Sequence, residues 1–275
     1  VGGSRPAREL RAQTDVVTIA YIISAYKRPA QLVRLVRALS HPHRVFYIHV
    51  DERTADADYD AARAGLASAP NVEFLARHSC QWGDFGHVRA TLKGLGQLAA
   101  SGLAFDYVTL LTGQDYPIKP NRHVEEVLGA QAGRSFMNHR PLPVDGLEDG
   151  GYARLPEREL PYGLTPYFGS GYWTLCRTAV DYVGSFLADH PAYVPYFERV
   201  RIPDEMFFQT ILLNSPLRDA IVNDDLRFIQ WPGPKVLTTA DLDDLRQAPD
   251  LYARKFDEGV DAGVLDAIDG WCGSP

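Results

Sequence analysis

Apolar residues in this chain recur with two different periods, and the switches between them outline the fold. Val16 to Ser24 (VVTIAYIIS) is a continuous apolar run, rich in β-branched residues, of the length expected for a strand buried on both faces. Pro29 then suits the first turn of a helix, and Leu32, Leu35, Val36 and Leu39 follow at helical spacing. Arg44 to Val50 (RVFYIHV) reads as a second strand ending at Asp51. Strand, helix, strand predicts a right-handed βαβ unit and a parallel sheet. Asn71 to Leu75 reads as a short third strand, and Val88, Leu92, Leu95 and Leu98 mark a second amphipathic helix. Asp106 to Leu111 is a fourth strand, closed by Thr112-Gly113-Gln114-Asp115, and Pro120 opens a helix running to about Leu128.

The second half is less regular. Residues 138–168 are rich in Pro, Gly, Arg and Glu with little periodicity, which predicts a long ordered loop over a functional site. Gly171 to Cys176 reads as a strand, Ala179 to Leu187 as a helix, Asp204 to Leu213 as a helix and Asp225 to Trp231 as a strand. Val264, Leu265 and Ile268 give a C-terminal helix. No internal repeat or low-complexity segment is visible. The expected class is α/β, a single domain over residues 15–275 with a Rossmann-like, mostly parallel central sheet flanked by helices. Residues 1–14 are expected to be a disordered or extraneous N-terminus.

Composition narrows the function. Of 275 residues 45% are hydrophobic and 23% charged, ordinary globular usage that excludes a disordered chain. A net charge of -7 argues against nucleic acid or an anionic membrane as partner, because both reward a basic surface. The three cysteines, Cys80, Cys176 and Cys272, are too scattered for a disulfide framework or a zinc-knuckle spacing, which suits a reducing compartment. No apolar stretch is long enough to span a bilayer.

In open parallel sheets ligands bind beyond the carboxyl ends of the strands. Three polar clusters are expected there: Ser24-Ala25-Tyr26-Lys27, His49-Val50-Asp51 and Thr112 to Asp115. This arrangement suits a nucleotide. Asp51 can accept hydrogen bonds from a base N–H or ribose hydroxyls, or it can cap a turn. Neither a Walker loop nor a GxGxxG fingerprint is present. No Asp-x-Asp pair directly ends an apolar strand: Asp56, Asp58 and Asp60 lie in a polar stretch, and Asp241-Leu242-Asp243 sits near the C-terminus.

The segments IAYIISAYKRPAQLVRLVRAL, FYIHVD, QWGDFGHVRATLKGL, DYVTLLTGQDYPIK, YFGSGYWTL, IPDEMFFQTILLNS, NDDLRFIQW and LYARKFD, in this order, resemble the core-2/I-branching family of glycosyltransferases, which includes β-1,6-N-acetylglucosaminyltransferases and protein xylosyltransferases. The resemblance covers about residues 18–270 and implies a GT-A-like fold. It also implies transfer from a UDP-sugar donor to an acceptor hydroxyl, inversion at the anomeric carbon and no metal or other cofactor. By the same resemblance residues 15–130 are the nucleotide-binding half and 131–275 the acceptor-binding and catalytic half. Glu205 in PDEMFF matches the catalytic base, with Asp204 as rival, cap or acceptor-side orienter. Arg254 and Lys255 match the basic pair that neutralises the leaving diphosphate, and Lys235 is a further candidate. Ser24, Ala25, Tyr26 and Asp51 would hold the nucleoside, His87 would contact the donor or lie on the surface, and Asp115 would lie near the donor sugar. Ser170, Tyr172 and Trp173 match an acceptor-side segment. The aromatic faces of Trp173 and Trp231 can stack on a sugar or belong to the core. With no membrane anchor in view, a cytosolic, bacterial-type protein is expected. Two alternatives stand beside this reading: a GT-A enzyme using a metal through Asp56 and Asp58 or through Asp51, and a non-catalytic nucleotide-sugar or carbohydrate binder.

Overall fold

The structure is a computed structural model and describes residues 16–231 and 233–273; residues 1–14 lie outside the described part. The first half comprises β1 (Ile19–Ala25), α1 (Pro29–Leu39), β2 (Arg44–Val50), α2 (Asp56–Gly65), β3 (Val72–Phe74), α3 (Gly86–Ser101), β4 (Tyr107–Thr112), β5 (Asp115–Pro117) and α4 (Asn121–Ala130). The second half comprises β6 (Ser135–Met137), β7 (Arg140–Pro141), β8 (Tyr167–Phe168), β9 (Trp173–Cys176), α5 (Arg177–Asp189), α6 (Tyr193–Phe197), α7 (Phe207–Leu213), β10 (Ile221–Val222), β11 (Arg227–Ile229), α8 (Leu242–Gln247), β12 (Tyr252–Arg254) and α9 (Gly263–Cys272).

The seven-stranded main sheet runs β10-β6-β9-β4-β1-β2-β3. β1 pairs in parallel with both β2 and β4, and β2 with β3. β9 enters antiparallel between β4 and β6, so the sheet is mixed on one side. β1 is buried along nearly its whole length because helices cover both sheet faces, which is why its sequence is a run and not an alternation. α1 follows Arg28, whose φ of 56° turns the chain sharply, and begins at Pro29. Its buried stripe includes the expected Leu32, Leu35, Val36 and Leu39.

A second, three-stranded sheet, β11-β12-β5, packs beside the first. The Tyr21 and Tyr252 hydroxyls meet across the two sheets at 3.1 Å, both fully buried. The two halves of the chain thus share one core. The segment 138–168 is closed at its ends by the β7–β8 pair and contains two short 3₁₀ turns, Glu148–Arg154 and Pro161–Gly163.

Besides short elements that were not expected, the structure differs from the sequence reading as follows. The expected helix from Asp204 is a 3₁₀ turn, Pro203–Glu205, broken at Met206 (φ -137°) before α7 begins at Phe207. α2 was not expected: among its residues only Ala62 is buried, so it carries no apolar stripe. β1 starts at Ile19, three residues later than the apolar run.

Candidate functional site

The carboxyl ends of β1, β2 and β4 are tied together by backbone: Gly113 N–H donates to the Ser24 carbonyl and Asp51 N–H to the Ala25 carbonyl, both at 2.9 Å. Gln31, fully buried, donates its amide to the carbonyls of Gly113 and Phe256 and accepts from Glu258 N–H. The loop after β12 is thereby fastened over these strand ends. Lys27 and Arg28 pair with Asp257 at 2.6 and 2.7 Å, and the Tyr26 hydroxyl donates to Gln114. Sequence positions some 230 residues apart become one rim.

Asp51 lies at this rim, almost fully buried. Its carboxylate accepts from Arg53 side chain and backbone and from Cys80 N–H. Burial works to raise its pKa, but these hydrogen bonds outweigh it and hold the carboxyl down at about 2. Arg53, half exposed, covers the carboxylate and must move before a ribose can reach it.

His87, in the first turn of α3, is half-buried and faces the site. Burial pushes its pKa down; Asp84 and Asp51 oppose this, and Arg254 and Arg53 add to it. Those influences place His87 between the Asp51 rim and β12. Arg254 ends β12 with its guanidinium 4.2 Å from the centre of the Tyr172 ring. Burial lowers its pKa and Asp115 opposes. Neither Arg254 nor Lys255 has a carboxylate within salt-bridge distance among the described residues. Lys235 does: its ammonium meets Asp241 at 2.5 Å, and its backbone carbonyl accepts from Lys255 N–H.

On the opposite wall, the turn Pro203–Glu205 is held by the segment before β9. Glu205 carbonyl accepts from Gly169 N–H at 2.8 Å. A Cβ at Gly169 would stand 1.8 Å from the Asn138 carbonyl oxygen, and one at Gly171 2.9 Å from an Asp204 carboxylate oxygen, so neither position admits a side chain without movement. Glu205 is half-buried and paired with Arg154 of the long loop at 2.5 Å. Burial raises its pKa and the Arg154 hydrogen bond opposes this, leaving a net rise. Burial likewise pushes Asp204 up to about 6, opposed by Arg154 and assisted by Asp84.

The chain from Gly169 to Tyr172 connects the two walls. Gly169 touches the Glu205 turn, Tyr172 touches Arg254, and three residue steps span at most about 11 Å. The turn that carries Glu205 and the guanidinium of Arg254 are thus joined through one short segment. Ser170 buttresses the connection: its carbonyl accepts from Gln209 and its hydroxyl bonds Asp225.

One expected site residue is corrected by the structure. Trp173 is fully buried and packs edge-on against Phe208, with ring centres 5.1 Å apart, so it cannot stack on an acceptor. Asp115 is fully buried too: it accepts from Thr112 N–H and hydroxyl and from Arg227 at 2.9 Å, and so orients Arg227. Trp231 is 70% exposed, two residues beyond Ile229, the register partner of Arg254.

The Asp56/Asp58 metal reading loses its geometric basis, since both lie in the first turn of α2, where i and i+2 side chains point apart, and Asp56 is exposed and paired with Arg77. Sequence reasoning missed Arg154, which sits in the aperiodic segment, and Arg53 and Asp84, which carry no pattern. Arg227 had a weak signal, a cation inside an apolar strand. A groove of about 700 Å³ along α1, lined by Val33, Arg34, Gly65 and Tyr116, contains none of these residues.

A sequence model of the family "Branch: Core-2/I-Branching enzyme" matches residues 19–249. Xylosyltransferase 2 of Canis lupus familiaris is 29% identical, over 95% of this chain and 35% of its own length, and xylosyltransferase oxt of Drosophila melanogaster is 27% identical over 96% and 34%. The chain thus spans about a third of the length of these relatives. Both are animal proteins and lend no support to a bacterial, cytosolic assignment. Among solved structures, the galactosyltransferase LgtC with donor and acceptor sugar analogues overlaps 94% of this chain and 96% of its own, at 10% identity and a TM-score of 0.42. No helix among the described residues is long and apolar enough to cross a membrane.

Proposed function

The chain belongs to the core-2/I-branching enzyme family, and from that premise we propose that it transfers a sugar from a UDP-sugar to an acceptor hydroxyl with inversion and without a divalent metal at the diphosphate. The observation that carries this reading is the segment Gly169 to Tyr172, which joins the turn of Glu205, a half-buried carboxylate, to Arg254, a half-buried cation with no carboxylate in salt-bridge distance among the described residues.

The chemistry follows from the two charges. An acceptor hydroxyl becomes nucleophilic when a carboxylate removes its proton, and we assign that role to Glu205, whose pKa burial raises and the Arg154 hydrogen bond opposes. As the bond to the anomeric carbon breaks, negative charge grows on the β-phosphate. Arg254, oriented by the Tyr172 ring, and Lys255 supply fixed positive charge at that moment, so no carboxylate-bound cation is required. A single base with no second carboxylate in a nucleophile's position means one displacement, and an α-linked donor gives a β-linked product. The donor sugar is taken to be xylose, in keeping with the names of the similar proteins, or N-acetylglucosamine or a close relative, as the sequence resemblance implies.

One observation favours a second assignment of the base. Burial pushes the carboxyl of Asp204, next to Glu205, up to about 6, within the range that suits a general base. The deciding experiment measures UDP release from UDP-xylose and UDP-N-acetylglucosamine by wild type, Glu205→Gln and Asp204→Asn, with anomeric NMR of the product. Glu205→Gln is expected to lose about 10²–10⁴ in turnover with donor affinity nearly intact. Retention of more than half the turnover in Glu205→Gln with collapse in Asp204→Asn moves the base to Asp204. An α-linked product rules out the single displacement.

A further inference from the structure

We propose that His49, His78 and Cys80 form a binding site for a divalent transition metal of the zinc class, which fastens the segment 76–80 to the end of β2. This inference does not depend on the transfer reaction.

The three residues come together by topology. β2 turns His49 inward, where it is 1% exposed. The chain leaving β3 continues past the end of β2, where Glu52 N–H donates to the His78 carbonyl, placing His78 over His49, with ring centres 4.1 Å apart, and burying Cys80 beside both. One ligand atom from each residue lies within 4.8 Å of the other two. The Cys80 sulfur is 3.8 Å from His49 Nδ1 and 3.6 Å from His78 Nε2. Zinc bonds of about 2.3 Å to sulfur and 2.0–2.1 Å to nitrogen, at the tetrahedral angle, set sulfur and nitrogen ligands about 3.6 Å apart. The two measured separations are thus close to the edges of a coordination tetrahedron, longer than the contacts of ordinary strong hydrogen bonds. The donor set, two imidazoles and a thiol, is the borderline-soft type that favours zinc over magnesium or calcium.

The polar surroundings are compatible with an ion. His49 Nε2 accepts from His78 N–H at 3.1 Å, which fixes the ring and leaves Nδ1 directed at the sulfur. His78 Nδ1 receives Lys93 at 3.0 Å and Nε2 faces the Gly86 carbonyl at 2.9 Å. Metal binding through Nε2 transfers the ring proton to Nδ1, and Lys93 then relies on its second partner, the Ala76 carbonyl at 3.1 Å. Binding through His49 Nδ1 likewise moves its ring proton to Nε2 and releases the hydrogen bond from His78 N–H, so both imidazoles stay neutral; the Cys80 thiol gives up its proton to solvent, and one proton leaves per ion bound. The Gly86 carbonyl or a water completes the fourth position. Cys80 N–H also donates to Asp51, which joins the site to the rim described above.

Cobalt(II) is the probe. Chelator-treated full-length chain titrated with cobalt should bind one equivalent and develop a thiolate-to-cobalt charge-transfer band that zinc then abolishes by displacement. Cys80→Ser should remove the band, His78→Gln should weaken binding by more than about 100-fold, beyond the effect of losing an outer partner, and Cys272→Ser should change neither. Zinc should raise the Tm of wild type and leave that of Cys80→Ser unmoved. Absence of a stoichiometric site in folded wild type, or a band that survives in Cys80→Ser, overturns the proposal.

Discussion

Replacing Arg254 by alanine separates the roles of two neighbouring arginines that share one aromatic ring. Arg254 and Arg227 lie 4.2 and 4.9 Å from the centre of Tyr172. Arg227, fully buried, is also ion-paired with fully buried Asp115 at 2.9 Å; Arg254 has no such partner. Removing Arg254 therefore orphans no carboxylate. The loss to stability is the stacking contribution, about 1 kcal/mol, offset in part because a buried cation is no longer desolvated. Its loss in the reaction is that of one fixed electrostatic donor, about 2–4 kcal/mol, which is roughly 30- to 1,000-fold in kcat/KM. UDP affinity should weaken by a smaller factor, since the ground state carries less charge on the β-phosphate than the transition state. Arg227→Ala has the opposite signature. It strands Asp115 without its cation, at about 3–5 kcal/mol, and at about 2–4 °C per kcal/mol the Tm should fall by roughly 6–20 °C. Steady-state kinetics, UDP titration and thermal melts on both variants read all three quantities. An Arg254→Ala enzyme with turnover within twofold of wild type, or one that melts as early as Arg227→Ala, refutes the assignment of Arg254 to the leaving group.

Arg154→Met removes the cation that opposes the burial of Glu205. The base is active when ionised, so a further rise in its pKa should move the acid limb of the pH–rate profile to higher pH, while a variant with the wild-type profile would show the pair to be only structural. Asp51 has a folded pKa depressed to about 2, so its stabilising contribution is present above the unfolded value near 4 and lost as pH falls through 2. Asp51→Asn should cost about 1–2 kcal/mol at pH 7, discounted for the solvent around Arg53, and urea titrations should show the gap closing below pH 3; a gap independent of pH would contradict the hydrogen-bonding account.

The first half of the fold was legible because each element buries a face of its own. VVTIAYIIS and RVFYIHV are strands whatever they pair with, and the stripe Leu32, Leu35, Val36, Leu39 belongs to a helix on any scaffold. The ends of those strands followed from the parallel order, and with them Asp51 and the Thr112–Asp115 turn. α2 escaped notice because it covers almost nothing, and the short strands β5, β10 and β12 because two or three residues carry no period. For the site, the family resemblance singled out Glu205, Arg254, Lys255 and Tyr172, but not what each side chain touches. Whether Trp173 meets a sugar or Phe208, and whether Asp115 meets a ligand or Arg227, depends on which face of a strand is covered by a segment distant in sequence. Arg154 illustrates the same limit: nothing local distinguishes it from Arg158 in the same loop, and only the closure of that loop by β7 and β8 sets its guanidinium on Glu205. Local periodicity encodes burial on an element's own surface, whereas partnership between charges is encoded in the path of the chain between them, and that path exists only in the folded molecule.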